Sequence, residues 1–575
     1  MSETHVAIVG SIGALAHETA GILRRKGVAV SLLSPPQLPS GLSQGCPSRL
    51  ICMPFQPSMK RSALLRKDEA LGYLRSVLDW AGDSGVSRVV LRSHAIAYGV
   101  SMKNPGLLEE GRVSLLPKNS LDRRWLEAEE LLFGHPGANG AGKGFSAAAM
   151  RLSSVLAPEE GDLVARMLAG RVAVPMAGYD PQLQLLSLAD AAEALARSVL
   201  ADSPGVFNAA PSGTVPIKSA LKASVPLTIP VNGVLQKPVR SLLWRAGLSE
   251  FPGEAMDRIK YNWTVSNDRS SKEFGFIPGH TSPQALKAFM ERTGRGRPDR
   301  IGDEYDEFGL DPEYIARLSW WFKFLTRVYW RAEVEGLENI PSNGPALLVA
   351  NHRGFMPFDG VVHRSLILAA KNRHIRFLVI PSLFKFPFLS DFLIKQGGVV
   401  ASQANTSKLF ERGNLVGIFP EGINGAFRMY RGAYRLGEMS RNAFAKMAIE
   451  HGVPVVPSAT IGHVEIFPIL ARIRSSFIIR VAGWPFLPIT PTFPLLPVPL
   501  PTKWHIRYLE PIPVDGYSRS DAQNPEAVNE LARVTRDVMQ RNIDEMLHRR
   551  KHIFFGNIFD SRRSVGQARS VDAAG

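Results

Sequence analysis

The chain has 575 residues, of which 45% are apolar and 21% charged, and its formal net charge is +16. A chain of this length is too long for one ordinary hydrophobic core, so two or more domains are expected. The composition excludes a disordered chain. The excess of positive charge favours polyanionic partners such as nucleic acid, acidic lipid head groups or phosphorylated substrates.

Cysteine usage and the apolar segments narrow the class of protein further. Cys46 and Cys52 are the only cysteines, which excludes a disulfide framework and fits a reducing cytosol. The first residues, Met-Ser-Glu-Thr-His, lack the basic flank and apolar stretch of a signal peptide. The most apolar stretch, 481–501, holds seven prolines, so we expect a surface loop there and not a transmembrane helix.

The N-terminal segment has the pattern of a nucleotide-binding βαβ unit. A short apolar strand at 6–9 is followed by a glycine turn, an amphipathic helix and a second strand at 28–33. This order makes a glycine-rich loop credible as a dinucleotide site. The candidate cofactor-binding residues are Gly10 and Gly13, which allow the tight turn, and Ala16, which lets helix and strand pack closely.

Further segments of the N-terminal half carry a family resemblance. Residues 88–99 (RVVLRSHAIAYG), 126–131 (LEAEEL) and 273–278 (EFGFIP) are similar to blocks of the extended short-chain dehydrogenases, the NAD-dependent epimerase/dehydratase group. The resemblance spans roughly residues 4–292. It implies a Rossmann-like, doubly wound parallel sheet and an NAD(P) site.

The positions that do chemistry in that family have changed here. In this register its catalytic Tyr falls on Leu121, its Lys on Trp125 and its Ser on His94, and Leu and Trp carry no titratable group. The second strand runs into 34–36 (SPP) and lacks the acidic residue that would bind a ribose. We therefore predict a non-catalytic Rossmann-like domain. The resemblance leaves NAD(P) binding open, and these departures argue against it.

Between the two halves lies a charged, glycine-bearing stretch, 293–311, which reads as a linker. It is followed at 314–331 by apolar residues at helical spacing, with several aromatic side chains and cations among them. Such a helix suits either a lipid interface or packing on a core, and the sequence leaves both interpretations open.

A histidine and an aspartate follow the next predicted strand. Residues 344–351 read as a strand that delivers His352 at its end, where open α/β sheets place their sites. An Asp that accepts from one imidazole nitrogen leaves the other free to take a proton from a hydroxyl. Asp359 is the nearby acid, and Pro357 between the two predicts a turn wide enough to bring them together.

Four segments in the C-terminal half resemble the lysophospholipid (glycerol-phosphate) acyltransferase family. They are 351–359 (NHRGFMPFD), 397–403 (GGVVASQ), 416–422 (VGIFPEG) and 452–462 (GVPVVPSATIG), and the resemblance covers about residues 312–550. The family usually has four residues between His and Asp, whereas this chain has six. Where many members carry phosphate-binding arginines, this chain has Ser402 or Gln403 and Ile423-Asn424.

The resemblance implies His352 as general base, oriented by Asp359. It also implies a set of residues that bind the acceptor or stabilise charge, which are Arg353, Glu421, Gly422, Arg428 and Arg431. No metal and no cofactor is expected for acyl transfer.

The predicted function is therefore transfer of a fatty acyl group from a thioester donor to a hydroxyl of a glycerol-phosphate-type or other lipid acceptor. The expected partners are acyl-CoA or acyl carrier protein, the lipid acceptor and an anionic membrane surface, with a cytoplasmic, peripherally membrane-associated location. The alternative is a membrane-associated NAD(P)-dependent epimerase or reductase with an idle acyltransferase-like half. Nucleic acid is not expected, because no helix-turn-helix or zinc motif occurs.

The predicted fold class is α/β, with an N-terminal Rossmann-like sheet and a C-terminal α/β acyltransferase domain. The predicted boundaries are 1–292, 293–311 for the linker, 312–556, and 557–575 for a disordered tail.

Overall fold

A computed structural model gives the fold. It describes residues 4–34, 46–58, 60, 62, 66–111, 117, 120–138, 144–246, 251–354, 356–437, 439, 442–476, 479, 484–496 and 498–559. The chain forms two compact units, residues 1–309 with 386–391, and residues 310–385 with 392–575. The predicted segments 35–36 and 560–575 lie outside the described residues.

The first unit contains twelve strands and nine helices among its described residues. The strands are β1 (His5–Gly10), β2 (Ala29–Leu33), β3 (Arg49–Met53), β4 (Arg88–His94), β5 (Ser146–Leu152), β6 (Ser154–Val155), β7 (Val172–Ala173), β8 (Gln182–Leu183), β9 (Leu185–Leu186), β10 (Gly205–Ala209), β11 (Val215–Pro216) and β12 (Leu227–Thr228). The helices are α1 (Ala14–Arg25), α2 (Lys67–Asp83), α3 (Ser120–Gly134), α4 (Leu163–Ala169), α5 (Leu188–Leu200), α6 (Ile217–Ser224), α7 (Gly233–Arg245), α8 (Asp268–Phe274) and α9 (Ser282–Thr293).

The core of this unit is a six-stranded parallel sheet in the order β10-β5-β4-β3-β1-β2. Along β1, Val6 and Ile8 face one apolar cluster, and Ala7 and Val9 face another. Parallel strands buried on both faces need helices on both sides, which is the doubly wound architecture. The order of strands reverses after β1, so the crevice between β1 and β3 is where such a sheet would bind a ligand.

The second unit contains nine strands and six complete helices among its described residues, and α12 (Leu389–Lys395) is divided between the units. The strands are β13 (Glu333–Glu335), β14 (Ala346–Ala350), β15 (Ile375–Val379), β16 (Val399–Val400), β17 (Leu415–Ile418), β18 (Val455–Ile461), β19 (Ala471–Ile473), β20 (Leu487–Ile489) and β21 (His505–Tyr508). The helices are α10 (Pro312–Lys323), α11 (Phe358–Lys371), α13 (Gln403–Glu411), α14 (Gly422–Ala426), α15 (Ala443–His451) and α16 (Pro525–Arg549).

A seven-stranded sheet in the order β13-β21-β18-β14-β17-β15-β16 forms the centre of the second unit. All neighbours are parallel except β18 and β21. The central strand β14 is completely buried, and its Val349 lies in register with Ile418 of β17 and Pro457 of β18. The ends of β14 and β17 therefore lie side by side, and the segments that follow these strands form the candidate site. Both units confirm the predicted α/β class.

Two further features bear on the expectations above. No helix in the described part of the chain is long and apolar enough to cross a membrane. The backbone amides of Ile558 and Phe559, at the start of the predicted tail, donate to the carboxylate of Glu333 at 3.0 and 3.1 Å.

Candidate active site

The residue before the predicted base fixes the end of β14. The side chain of Asn351 donates from Nδ2 to the carbonyl of Thr460 and accepts from the amide of Thr460 at Oδ1, both at 2.9 Å. Asn351 is buried, so this paired contact with β18 replaces the next rungs of the sheet. His352 then leaves the sheet from a fixed point.

His352 and Asp359 are brought together by the turn between them. Imidazole Nδ1 lies 2.8 Å from Oδ2 of Asp359, and the backbone amide of Arg353 donates to the same oxygen at 3.1 Å. Helix α11 begins at Phe358, directly after Pro357, so Asp359 lies in its first turn. The first turn of a helix stabilises a carboxylate through its free amide groups.

Burial and hydrogen bonding act in opposite directions on this carboxylate. Asp359 is almost fully buried, and burial raises its pKa above the ordinary value, while the hydrogen bond from His352 opposes that shift. When Nδ1–H donates to Asp359, the lone pair of Nε2 is left to accept a proton. The imidazole also lies 4.7 Å from the ring of Phe419, which follows β17, and this contact further fixes its orientation.

His352 forms part of the wall of an apolar pocket of about 140 Å³. The pocket lies beside the first turns of α11 and the ends of β15 and β17. Its wall includes Val361, Phe377, Leu383, Phe392, Phe419 and Trp484. The hydrogen-bonded pair of His352 and Asp359 thus adjoins an apolar pocket, which suits an alkyl chain.

Arg353 and Glu421 are bound to each other. Both are buried, and the guanidinium donates from Nη1 to Oε2 at 2.5 Å and from Nη2 to Oε1 at 3.0 Å. Arg353 also donates to the carbonyls of His352, Ala433 and Arg435, and the amide of Gly437 donates to Glu421. Neither side chain lines the pocket. In this structure the two side chains satisfy each other, and their predicted role in substrate binding stays a prediction.

The other predicted substrate-binding residues are dispersed. Gly422 lines the pocket at a φ of 54°, a backbone conformation that favours glycine. Arg428 is half-buried and donates to the carbonyl of Arg435, and Arg431 is exposed. Neither arginine lines the pocket.

Three polar side chains near the pocket were missed in the sequence. The buried His363 accepts or donates at 2.8 Å with the hydroxyl of Tyr508, and burial lowers its pKa to about 3, so it is neutral at neutral pH. Arg364 and Gln396 line the pocket itself. A signal for Arg364 exists, since its charge interrupts the apolar residues of α11.

In the first unit, a tight glycine turn precedes α1, and a carboxylate of the chain itself lies at the start of that helix. Gly10 has a φ of 113°, and a side chain there would clash with the carbonyl oxygen of Met53. Ala16 is buried in the core. At the start of α1, however, the amide of Leu15 donates to Oε1 of Glu160 at 3.1 Å, and this carboxylate lies against Gly13.

This arrangement does not fit NAD(P). A Rossmann fold binds the diphosphate of the dinucleotide at the N-terminus of this helix. Here the buried Glu160 already supplies a negative charge at that place. The negative charge of Glu160 would repel a diphosphate at the same amides.

The positions of the family's catalytic groups are occupied by core residues. Leu121 and Trp125 are buried, and the guanidinium groups of Arg92 and Arg124 lie over the Trp125 ring. His94 is buried as well and lies 3.3 Å from Asp162. Leu and Trp offer no proton donor to a substrate. In the described part of the chain, no cluster of His, Cys, Asp or Glu is arranged to hold a metal ion.

Comparison with known sequences identifies an acyltransferase domain in the C-terminal half. The family model described as Acyltransferase matches residues 331–461. An uncharacterized protein of Mycobacterium leprae is 37% identical over 269 residues, which are 45% of this chain and 72% of that protein. A Bos taurus protein described as a DGAT1/2-independent enzyme synthesizing storage lipids is 31% identical over 214 residues, which are 37% of this chain and 59% of that protein.

Solved structures similar to this chain include MoeE5 in complex with UDP-glucuronic acid and NAD. It is 16% identical, with a TM-score of 0.40, and the match covers 50% of this chain and 99% of that one. A UDP-glucose 4-epimerase from Thermotoga maritima is 14% identical, with a TM-score of 0.38, and the match covers 51% of this chain and all of that one.

Proposed function

The chain belongs to the acyltransferase family through its C-terminal half, and from this premise we propose that it transfers a fatty acyl group from a thioester to a lipid hydroxyl at His352. The observation that carries the proposal is the pairing of His352 with Asp359 at the wall of an apolar pocket. The similarity to an enzyme that synthesizes storage lipids supports a lipid as the acceptor.

The proposed reaction needs no covalent enzyme intermediate. Nε2 of His352 takes the proton of the acceptor hydroxyl, and the oxygen attacks the thioester carbonyl. The new C–O bond forms, the C–S bond breaks, and the departing thiolate recovers the proton from the imidazolium. Asp359 stabilises the imidazolium while it exists, because its carboxylate accepts from Nδ1.

Arg353 and Glu421 act as positioning residues in this proposal. The guanidinium of Arg353 donates to the carbonyl of His352 at 2.6 Å, and Glu421 directly precedes Gly422 in the pocket wall. The buried pair thus connects the segment after β14 with the segment after β17. This places the two walls of the pocket at a fixed distance.

The activity is tested by measuring thiol release from acyl-CoA and from acylated carrier protein with a panel of lipid alcohols as acceptors. The panel contains monoacylglycerol, diacylglycerol, glycerol 3-phosphate and lysophosphatidate. Absorbance of reduced nicotinamide is followed in parallel with nucleotide-sugar substrates. Thiol release that depends on one acceptor is the expected result, and nicotinamide turnover without thiol release would replace the proposal by the reductase alternative.

We also propose that the second unit docks on an anionic membrane surface. Trp320 and Leu495 are 67% and 91% exposed. The exposed Trp321 lies on α10 beside Trp320, and the exposed Phe324 and Val328 lie on the π-helix Phe324–Tyr329 that directly continues it. The hydroxyl of Tyr329 donates to the carbonyl of Pro499 at 2.6 Å, which joins that segment to the proline-rich loop. Exposed aromatic groups on this scale mark interaction sites.

Replacing both Trp320 and Leu495 by Ser is expected to weaken binding to phosphatidylcholine vesicles that contain an anionic lipid by at least about tenfold. Burial of one large apolar side chain contributes about 1.5–3 kcal/mol, and 1.4 kcal/mol corresponds to tenfold. Cosedimentation measures the effect. The matched control is Ile277→Ser, which removes an apolar side chain that is 76% exposed in the first unit. Equal binding of all three proteins would contradict the docking surface.

We further propose that the first unit does not bind NAD(P). Titration of the full chain with NAD(H) and NADP(H) by calorimetry is expected to give dissociation constants weaker than about 1 mM, because Glu160 occupies the helix N-terminus. Glu160→Gln removes that charge and is expected to tighten binding by a few-fold. The control is the exposed neighbour Glu159→Gln, which should change nothing. Micromolar binding to the unaltered chain would contradict the proposal.

A further inference from the structure

Besides His352 and the half-buried Ser382, two polar side chains line the mainly apolar pocket. Arg364 is 3% exposed and Gln396 is 7% exposed, and both line the pocket. Long polar side chains are rarely buried to this extent without partners. Their bonding therefore indicates what the pocket is made to hold.

Arg364 is a buried cation without a counter-ion in the described part of the chain. Its Nη2 makes a long contact of 3.4 Å with the hydroxyl of Ser365, its Nε is buried without a hydrogen-bond partner, and its Cζ lies 5.1 Å from the centre of the Phe322 ring. Burial lowers the pKa of the guanidinium to about 10, and no carboxylate of the described residues opposes that shift. The group is therefore still charged at neutral pH.

The side-chain amide of Gln396 has an unsatisfied donor and an unsatisfied acceptor. Within the described residues, neither Nε2 nor Oε1 of its buried amide has a hydrogen-bond partner. Its backbone amide donates to the carbonyl of Phe392, another residue of the pocket wall, so the position of the residue is fixed while its side chain is unsatisfied. A buried amide of this kind needs a polar group to bind.

We propose that Arg364 and Gln396 form a binding site for an oxyanion carried by the lipid substrate. A guanidinium supplies the charge and several N–H donors, and the amide of Gln396 adds a further donor. This inference rests on the proposed function in one respect, namely that the pocket receives the lipid.

The position of the site relates it to the reacting centre. Arg364 follows Asp359 by five residues on α11, which corresponds to about 7.5 Å along the helix axis at 1.5 Å per residue. The positions where the family resemblance expects phosphate-binding cations are Ser402 or Gln403 and Ile423-Asn424. Ser402 instead caps α13, and Gln403 donates to Glu450. Arg364 supplies a cation from a different element.

The oxyanion has two chemical sources, a phosphate monoester on an acceptor lipid or a carboxylate on a fatty chain. Three probes of equal chain length distinguish them: dodecyl phosphate, dodecanoate and dodecanol. Their dissociation constants for the full chain are measured by calorimetry, without any turnover. We expect at least one anion to bind about tenfold or more tightly than dodecanol, and the preferred anion identifies the source.

Arg364→Met, which keeps the volume and removes the charge, is expected to abolish this preference while leaving dodecanol binding unchanged. Gln396→Leu should weaken it by a few-fold. The matched control is Arg541→Met, which replaces an exposed arginine on α16. This variant should bind all three probes as the unaltered chain does. Thermal unfolding of Arg364→Met should occur at an equal or higher temperature, because an uncompensated buried charge has been removed.

The site is overturned if dodecanol binds as tightly as both anions, if none of the probes binds, or if Arg364→Met keeps the preference. A lower unfolding temperature of Arg364→Met with unchanged binding would assign the arginine a structural role instead. Failure of the proposed function is distinguishable. An intact anion preference in a chain that releases no thiol with any acceptor would refute acyl transfer and leave the site standing.

Discussion

Replacing His352 by Ala is expected to lower the rate of acyl transfer by about 10²- to 10⁴-fold. In the structure Nδ1 of this imidazole is held by Asp359, so Nε2 is the group that can remove the proton of the acceptor hydroxyl. The measurement is kcat for thiol release with the best acceptor of the panel. Asp359→Asn is expected to lower kcat as well, because an amide cannot stabilise the imidazolium as a carboxylate does.

The fold should survive the loss of His352. Asp359 keeps its hydrogen bond from the amide of Arg353, so the carboxylate is not left without a donor. His548→Ala is the matched control, since it removes an exposed histidine from α16. If His352→Ala retained the rate of the control, the imidazole would not be the base, and the assignment of the site would fail.

Glu421→Gln is expected to lower the free energy of unfolding of the second unit by about 3–5 kcal/mol. The change removes the carboxylate that pairs with the buried guanidinium of Arg353, and that loss is not offset by the remaining bonds of the guanidinium to carbonyl groups. Denaturation by guanidinium chloride, followed by tryptophan fluorescence, measures the shift. Because Arg353 also holds the carbonyl of His352, kcat should fall with stability.

The matched control is Glu530→Gln, which breaks an exposed pair with Arg533. Exposed pairs contribute about 0–1 kcal/mol, so this control should unfold almost as the unaltered chain does. The double variant Arg353→Met with Glu421→Leu should recover most of the lost stability, since no charge remains to be buried. Equal effects of Glu421→Gln and Glu530→Gln would show that burial of the pair is not important.

Local patterns in the sequence were sufficient to predict the order of elements around the glycine turn and around the pair of His352 and Asp359. The apolar strand, Gly10 and the amphipathic helix occur together because each constrains its neighbour within a few residues. The same is true of His352 and Asp359, which are separated by a single turn. Pro357 indicated that the turn would be wide, and the structure places α11 directly after it.

Contacts between distant segments were not predictable in this way. Arg353 and Glu421 are 68 residues apart, and Leu15 and Glu160 are 145 residues apart. Glu421 was interpreted from its neighbours in the chain, and Glu160 was not interpreted at all, because the partner of each belongs to another element. Only the packing of the sheet shows that Glu421 faces an arginine and that Glu160 faces the start of a helix.

The carboxylate of Glu160 at the start of α1 has a consequence for the whole cell. If the first unit binds no dinucleotide, as proposed above, its state does not follow the ratio of oxidised to reduced coenzyme. On both proposals, the supply of acylated lipid from this chain would therefore be independent of the redox balance of metabolism, although half of the chain has a Rossmann-like fold.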